Sequence, residues 1–464
     1  MNITFIGGGS YRTVPIVRAA MQEKQIFDNG EIRLVDFNLE RVEAVAKMIK
    51  KTPEYKQVHC KITFTDKLEE ALPGADMVSV SFPVGSYKTC ELSNEASLKR
   101  GFFGGDQISL SGAFRSLTGG AILLDIARKM EKHCPDAWLV DFANPVAVYS
   151  GLINNHTKIR ALGICGGFVN HRWDLNRLIF DKDECRNDFK VVSAGVNHLS
   201  FILRGTCKGQ DLYELIGKRL AQKDWDPCQI TSYPAAEAHI HYALRILADM
   251  YKRFGRIIFS TEWDGMCNLY FEKSMEHFCK NYIPKTPAMI EEAFKKASIA
   301  RQHHDAQFKS FLDQDLDQAF WDMDLIKNPD FAANPNDVTV IILKALSGVS
   351  REWLAASFPN RGAVKGFKDR TVLEYSMFLD KDGITPEPDL EVPDCFHGLV
   401  SSLATHQTLL GDAIVSKDPR ILSQALFAYP IHQNTSESKA LCTELLKIHE
   451  KEIAPEFQGA KDYL

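Results

Sequence analysis

The chain has no apolar run approaching the ~20 residues needed to span a bilayer, no CxxC pair among its eleven cysteines, no low-complexity linker, no internal repeat and no excess of basic residues. Each absence removes a class. Lacking a long apolar run, the sequence offers no transmembrane helix. A strand pattern that begins directly after Met1 leaves no room for a charged leader, so a cytoplasmic location is expected. A net charge of −5 gives no footprint for nucleic acid and no polybasic patch for a membrane surface. An odd number of cysteines in a chain of 464 residues predicts buried thiols rather than disulfide staples. The partner expected is a small molecule.

What is present is alternation. Short β-branched or apolar runs near residues 2–6, 31–36, 58–64, 76–82, 137–142, 160–164 and 190–194 are separated by amphipathic stretches. This predicts an α/β fold with a Rossmann-like, doubly wound parallel sheet over residues 1–195. After Gly195 helical periodicities near 235–254, 287–312, 338–348 and 395–449 dominate, with one β-rich insertion near 370–378. Residues 196–464 are therefore expected to form a mainly helical α+β domain that carries substrate and oligomer contacts.

The first βα junction has the composition of a dinucleotide turn. Gly7, Gly8, Gly9 and Ser10 follow the first strand and lead into a helix, where a glycine lets the backbone approach a pyrophosphate. Asp36 ends the next strand, placed for a ribose hydroxyl pair, which favours NAD over NADP. The third glycine of the fingerprint is absent, and Arg12 stands there. Three further strand ends carry chemistry. Asn144, before Pro145, is held out of the helical region with a donor and an acceptor to offer. Cys165 in Gly-Ile-Cys-Gly-Gly and His198 in Gly-Val-Asn-His-Leu would give a divalent metal one thiolate and one imidazole, with positions left open. Read alone, each is equally a buried small side chain or a structural hydrogen-bonding group.

Together these segments are more specific. Residues 1–12, the Asp36 strand, Phe142-Ala143-Asn144-Pro145, Gly163-Ile164-Cys165 and Ala194 to Phe201 resemble, in order and spacing, the NAD- and manganese-dependent glycosidases of glycoside hydrolase family 4. Pro359 to Val364 resembles a loop of that family's second domain. The resemblance implies a lactate/malate dehydrogenase-like fold, NAD and Mn2+ as cofactors, a homodimer or homotetramer, and an elimination route. Oxidation at C3 makes the C2 proton acidic, a divalent cation stabilises the enediolate, the aglycone leaves from C1, water adds and the hydride returns. It implies Cys165 and His198 as metal ligands, Asn144 and Asn197 as substrate contacts, and Asp106 in the place of a family glutamate near metal and sugar.

Departures from the family pattern are as informative. Gly166 stands where members carry an acid or substrate contact, and the catalytic base has three candidates, Tyr251, Glu262 and Asp264. Where phosphosugar-cleaving members carry an Arg the chain has Cys90, with Lys88 beside it and no evident replacement guanidinium. The resemblance therefore leans to members acting on unphosphorylated α-glycosides, such as galactosides, glucuronides or glucosides. The alternatives are a 6-phospho-glycosidase, an NAD-dependent sugar or hydroxy-acid dehydrogenase, and a non-catalytic NAD-binding sensor.

Overall fold

Strands β1 (Asn2–Ile6), β2 (Glu31–Val35), β3 (Lys61–Thr65), β4 (Met77–Val80), β5 (Trp138–Asp141) and β6 (Arg160–Gly163) pair in parallel in the order β3-β2-β1-β4-β5-β6. The computed structural model describes residues 1–180, 185–222, 225, 238–269, 283–430 and 436–464. The core strands β4 and β5 are buried at every position, as expected where helices cover both faces of a parallel sheet. The order reverses between β1 and β4, and ligands bind outside the carboxyl ends of strands at such a switch point.

The helices of this half are α1 (Thr13–Met21), α2 (Leu39–Lys51), α3 (Leu68–Ala71), α4 (Tyr87–Lys99), α5 (Leu110–His133), α6 (Val146–His156) and α7 (Gly167–Ile179). Capping residues set several starts: Asn38, Ser86 and Ser109 accept from the N–H groups of Arg41, Thr89 and Gly112.

The seventh expected strand differs in direction. β7 (Phe189–Val196) pairs antiparallel with β8 (Leu199–Cys207), and β10 (Glu352–Pro359) and β11 (Val372–Asp380) intervene between β6 and β7. The short β9 (Gln210–Asp211) and β12 (Gly383–Pro386) complete a twelve-stranded sheet that continues through residue 195. The β-rich insertion expected near 370–378 is β11, whereas β8 and β10 were not anticipated. Both are apolar enough to pass for buried helix: β8 opens with four buried residues and β10 ends with six.

Beyond the hairpin lie α8 (Leu212–Leu220), α9 (Ala238–Phe254), α10 (Trp263–Leu269) and α11 (Pro287–Ser310). The C-terminal helices Asp394–Ser416, Pro419–Ala428 and Ser436–Ile448 follow where helical periodicity is read. Among the described residues no helix is long and apolar enough to cross a membrane. Five of the eight cysteines described as free are buried.

Candidate active site

The dinucleotide turn is built by close approach. Gly7 has φ +84°, and a Cβ there would lie 2.0 Å from the carbonyl oxygen of Ser81, so a side chain at this position would collide with the loop after β4. Gly7 and Gly8 N–H both donate to Val35 O, and Gly9 N–H donates to Asp36 Oδ2 at 3.0 Å. Asp36 Oδ1 accepts from Asn38 N–H, so each carboxylate oxygen is fixed by one backbone donor and keeps a lone pair. Ser10 is exposed at the tip of the turn. Arg12, in place of the third glycine, reaches Asp337 at 2.7 Å and ties the turn to the helix Val338–Leu346 that Asp337 caps.

From Asp36 a cleft of about 890 Å³ runs past Phe82 to Gly85 and ends at Cys90, Asp106, Arg115 and Asn144. Its opposite wall is one face of α11, with Phe294, Ala297, Ser298, Arg301 and Asp305. Asp305 accepts from Tyr11 Oη at 2.6 Å and from Arg41 through both its oxygens, which seats α11 on the turn.

At the inner end, Asn144 Nδ2 donates to Asp106 Oδ2 at 2.8 Å, while its Oδ1 accepts from Gln107 Nε2. Gln107 Oε1 in turn accepts from Val146 N–H at the start of α6. Asp106 is the half-exposed member of this set. The Asn144–Pro145 peptide is cis. Below it Asp141 is fully buried, and burial raises its pKa well above the usual carboxylate range.

Cys165 Sγ and His198 Nε2 meet at 3.3 Å. They do so across the mixed part of the sheet, not at two neighbouring βα exits. Gly163, Ser357, Glu374 and Gly195 are aligned on β6, β10, β11 and β7, and His198 occupies the two-residue turn of the β7–β8 hairpin with φ +65°. Asn197, the other turn residue, donates to Glu374 Oε2 at 2.7 Å, and Ser200 Oγ donates to Glu374 Oε1. Asn197 thus holds the hairpin to β11 and is not among the residues lining the cleft.

Asp264 completes the cluster. Its Oδ1 lies 2.7 Å from His198 Nδ1 and also accepts from Gly265 N–H, while Oδ2 accepts from Ile108 N–H at 3.1 Å. One buried carboxylate therefore joins His198 to the loop that carries Asp106 and Gln107. Burial raises the pKa of Asp264, but the charge and hydrogen bond of His198 outweigh it and hold the group below its usual value. Burial likewise opposes charge on His198, and Asp264 and Cys165 together keep its pKa well above the ordinary imidazole value. With both oxygens engaged, Asp264 positions His198 and is poorly free to act as a base.

Of the other two base candidates, Tyr251 is engaged elsewhere by its hydroxyl, and Glu262 is fixed through its backbone. Tyr251 Oη donates to Tyr213 O on α8, with the rings stacked 6.1 Å apart. Glu262 precedes α10, its N–H donating to Ser260 Oγ and its carbonyl accepting from Met266 N–H. Asn360, in the loop after β10, is fully buried and bonds to Val364 and Phe367, so it shapes its own loop.

Three residues stand out that the sequence pattern did not single out. Gly265 is one: a Cβ there would lie 1.9 Å from His198 O. His171 is another. The position a Cβ on Gly167 would fill is 2.9 Å from His171 Nε2 and 3.1 Å from Cys165 Sγ, so the glycine leaves an imidazole facing the gap beside the thiol. Arg115 is the third, and it corrects the expectation that no guanidinium replaces the one missing at Cys90. It reaches the same end of the cleft from α5, twenty-five residues away in sequence, with Nη2 donating to Cys90 O. Lys88 is exposed and does not line the cleft.

The donor set fits a divalent cation of open coordination. A thiol and an imidazole nitrogen converge, the other imidazole nitrogen is held by a carboxylate, and no third His, Cys, Asp or Glu joins them as a closed cage among the described residues. A carboxylate on the far imidazole nitrogen is the usual support of a metal-binding histidine. The cleft from Asp36 to Asn144 fits an extended dinucleotide.

Comparison with known proteins places this arrangement. Residues 2–179 match the model of the family 4 glycosyl hydrolases, and residues 193–431 match that of the family 4 glycosyl hydrolase C-terminal domain. An α-galacturonidase of Thermoanaerobacter italicus is 24% identical over 476 residues, covering 100% of this chain and 97% of its own length. A 6-phospho-β-glucosidase of Escherichia coli is 21% identical, covering 97% and 96%, and an α-galactosidase of Bacillus subtilis is 24% identical, covering 96% and 98%. The crystal structure of a 6-phospho-α-glucosidase from gut microorganisms in complex with NAD and Mn2+ shares the fold, with a TM-score of 0.78 at 17% identity over 97% of this chain and 98% of that one.

Proposed function

Because the chain belongs to the family 4 glycosyl hydrolases, we propose that it cleaves unphosphorylated α-glycosides (galactosides, glucuronides or glucosides) by transient C3 oxidation, C2 deprotonation and elimination, with NAD and Mn2+ or another divalent cation. The observation that carries this reading is the Cys165 and His198 pair at 3.3 Å, oriented by Asp264 and joined through Ile108 to the loop of Asp106. A dehydrogenase of the lactate or malate type moves its hydride without a metal and has no use for such a pair.

When bound, NAD supplies reversible hydride acceptance and the cation supplies Lewis acidity toward the sugar oxygens. The chain's own residues do the rest. Asp36 offers the lone pairs left by Gly9 and Asn38 to the ribose hydroxyls. Asp264 holds the proton on His198 Nδ1 and fixes the ring with Nε2 beside the Cys165 sulfur, and a bound cation would take the place of the Nε2 proton. Asn144, clamped between Asp106 and Gln107, sets the position of the Asp106 carboxylate at the cleft's inner end. Asp106 Oδ1, without a hydrogen-bond partner among the described residues, is available to a substrate hydroxyl or proton. Cys90 brings no charge of its own to this end of the cleft, burial raising its thiol pKa, and the weighing of phosphorylated against unphosphorylated sugars falls to Arg115 beside the carboxylate of Asp106.

Product formed in deuterated water distinguishes the routes. Elimination requires deuterium at C2, aglycone release and no stoichiometric NADH. His198→Ala should abolish C2 exchange and aglycone release while NAD still binds. Product with no C2 deuterium, or full activity in that variant, would overturn the reading.

A further inference from the structure

One helix holds Ile108 by both polar groups of its backbone. The N–H donates to Asp264 Oδ2 at 3.1 Å, and the carbonyl oxygen accepts from Asn268 Nδ2 at 3.0 Å. Asp264 and Asn268 stand four residues apart on α10 and share a face, so the helix offers Ile108 the acceptor and the donor that a neighbouring strand would offer. Asn268 Nδ2 also donates to Asp264 O at 2.7 Å. With two carbonyl oxygens in front of it the amide has one orientation, because the flipped form would set Oδ1 against both. Tyr429, directly after the helix Pro419–Ala428, donates from Oη to the same Ile108 oxygen at 3.2 Å.

This anchoring has a cost. Asn268 is 8% exposed, and its Oδ1 is enclosed without a hydrogen-bond partner among the described residues, which is unfavourable for a buried acceptor. What the amide secures is the spacing between two parts of the site, because α10 is wedged between them. On one side Gly265 lets the helix touch His198 O while Asp264 engages His198 Nδ1. On the other, the Cβ of Asp264 lies 3.6 Å from the point that a Cβ on Gly105 would fill. Ile108 follows Asp106 by two residues, so fixing its backbone fixes the short arm that carries the Asp106 carboxylate and the Gln107 amide onto Asn144. Asp264 alone would leave that arm a pivot about a single bond. Asn268 supplies the second point and removes the pivot.

We propose that Asn268 is a positioning residue: paired with Asp264 across the backbone of Ile108, it sets the separation between His198 and Asp106 on which turnover depends. The inference rests on the glycosidase reading above and adds to it a residue that does not line the cleft.

Asn268→Ala removes the donor from Ile108 O and leaves Asp264 on His198. With the full chain, NAD, Mn2+, reductant and the nitrophenyl α-glycoside that the parent cleaves fastest, kcat should fall by about ten- to a hundredfold, the usual result of displacing a catalytic group. KM, and the Mn2+ and NAD affinities measured by calorimetry, should stay within about threefold of the parent. Backbone amides of residues 104–109 should exchange faster in deuterated water, with those of the β7–β8 hairpin unaltered. Tyr429→Phe loosens the same carbonyl while keeping the ring; it should lower kcat by less, and it carries the test if Asn268→Ala does not fold. An unchanged kcat in the folded variant overturns the proposal. So does a loss of Mn2+ affinity equal to the loss of kcat, which would mean that Asn268 supports the metal ligands and not the arm of Asp106. If the parent releases no aglycone from any glycoside, the glycosidase reading fails, and exchange at residues 104–109 together with the two titrations still judges Asn268.

Discussion

At the scale of single residues, Asp264 carries more of the site than either proposed ligand, Cys165 or His198, since one buried carboxylate orients His198 and pins the loop of Asp106. Asp264→Asn removes the charge that fixes the imidazole tautomer while keeping the volume. Mn2+ affinity should fall by roughly 10- to 100-fold, the usual cost of losing such a partner, with NAD affinity little changed; titration calorimetry with each ligand checks both. Cys165→Ser replaces a soft thiolate by a hydroxyl that stays protonated, so Mn2+ binding should weaken at least as much. Undiminished metal binding in both variants would remove the assignment of this pair. Periodicity set Cys165 and His198 after apolar runs, but their joint role as metal ligands came from the family resemblance. Arg115 and His171 were not, because each lies inside a helix whose facing depends on what packs against it.

Among elements, the contact between α10 and the β7–β8 hairpin decides the geometry of the site. Gly265 lets the first turn of α10 approach His198 O, and an added Cβ would lie at 1.9 Å. Gly265→Ala should therefore destabilise the fold by about 1–3 kcal/mol and displace the imidazole, which a shifted urea midpoint and loss of Mn2+ binding would report. A normal midpoint with normal metal affinity would mean that the helix can retreat at no cost. The seat of α11 is the second such contact. Asp305→Ala removes the acceptor shared by Tyr11 and Arg41, and NAD affinity should fall by roughly tenfold, as expected for losing charge-assisted bonds at the cofactor turn. Equilibrium binding of NAD measures it.

For the whole molecule, two buried neutral histidines set a pH dependence. Burial lowers His406 and His449 to about 4, while an unfolded imidazole titrates near its ordinary 6.5. Between these values the unfolded chain binds more protons than the folded one, so stability rises with pH across roughly 4 to 6.5 and is lost as pH falls through that window, by on the order of 1 kcal/mol per unit per histidine. Asp141 acts in the opposite sense, because its pKa is raised in the fold. The difference between the parent and His406→Gln isolates one contribution: urea midpoints at pH 7, 6 and 5 should converge toward acid, and parallel midpoints would show that His406 is not held neutral.

The sequence by itself determined the Rossmann-like half, the glycine turn that meets Asp36, and the family. These rest on local signals: period-two apolar runs, glycines where a backbone must approach, and short motifs at strand ends. Only the tertiary structure decided that β7 runs antiparallel, that β10 and β11 enter between β6 and β7, and that Cys165 and His198 consequently meet across four strands. It also brought Asp264 onto His198 and Arg115 to the cleft. The physical reason is common to all of these. Strand direction and helix facing are set by contacts between residues from 25 to more than 200 positions apart, such as Arg115 with Cys90 and Ser150 with Ser357, and no local pattern encodes which partner a buried side chain will find.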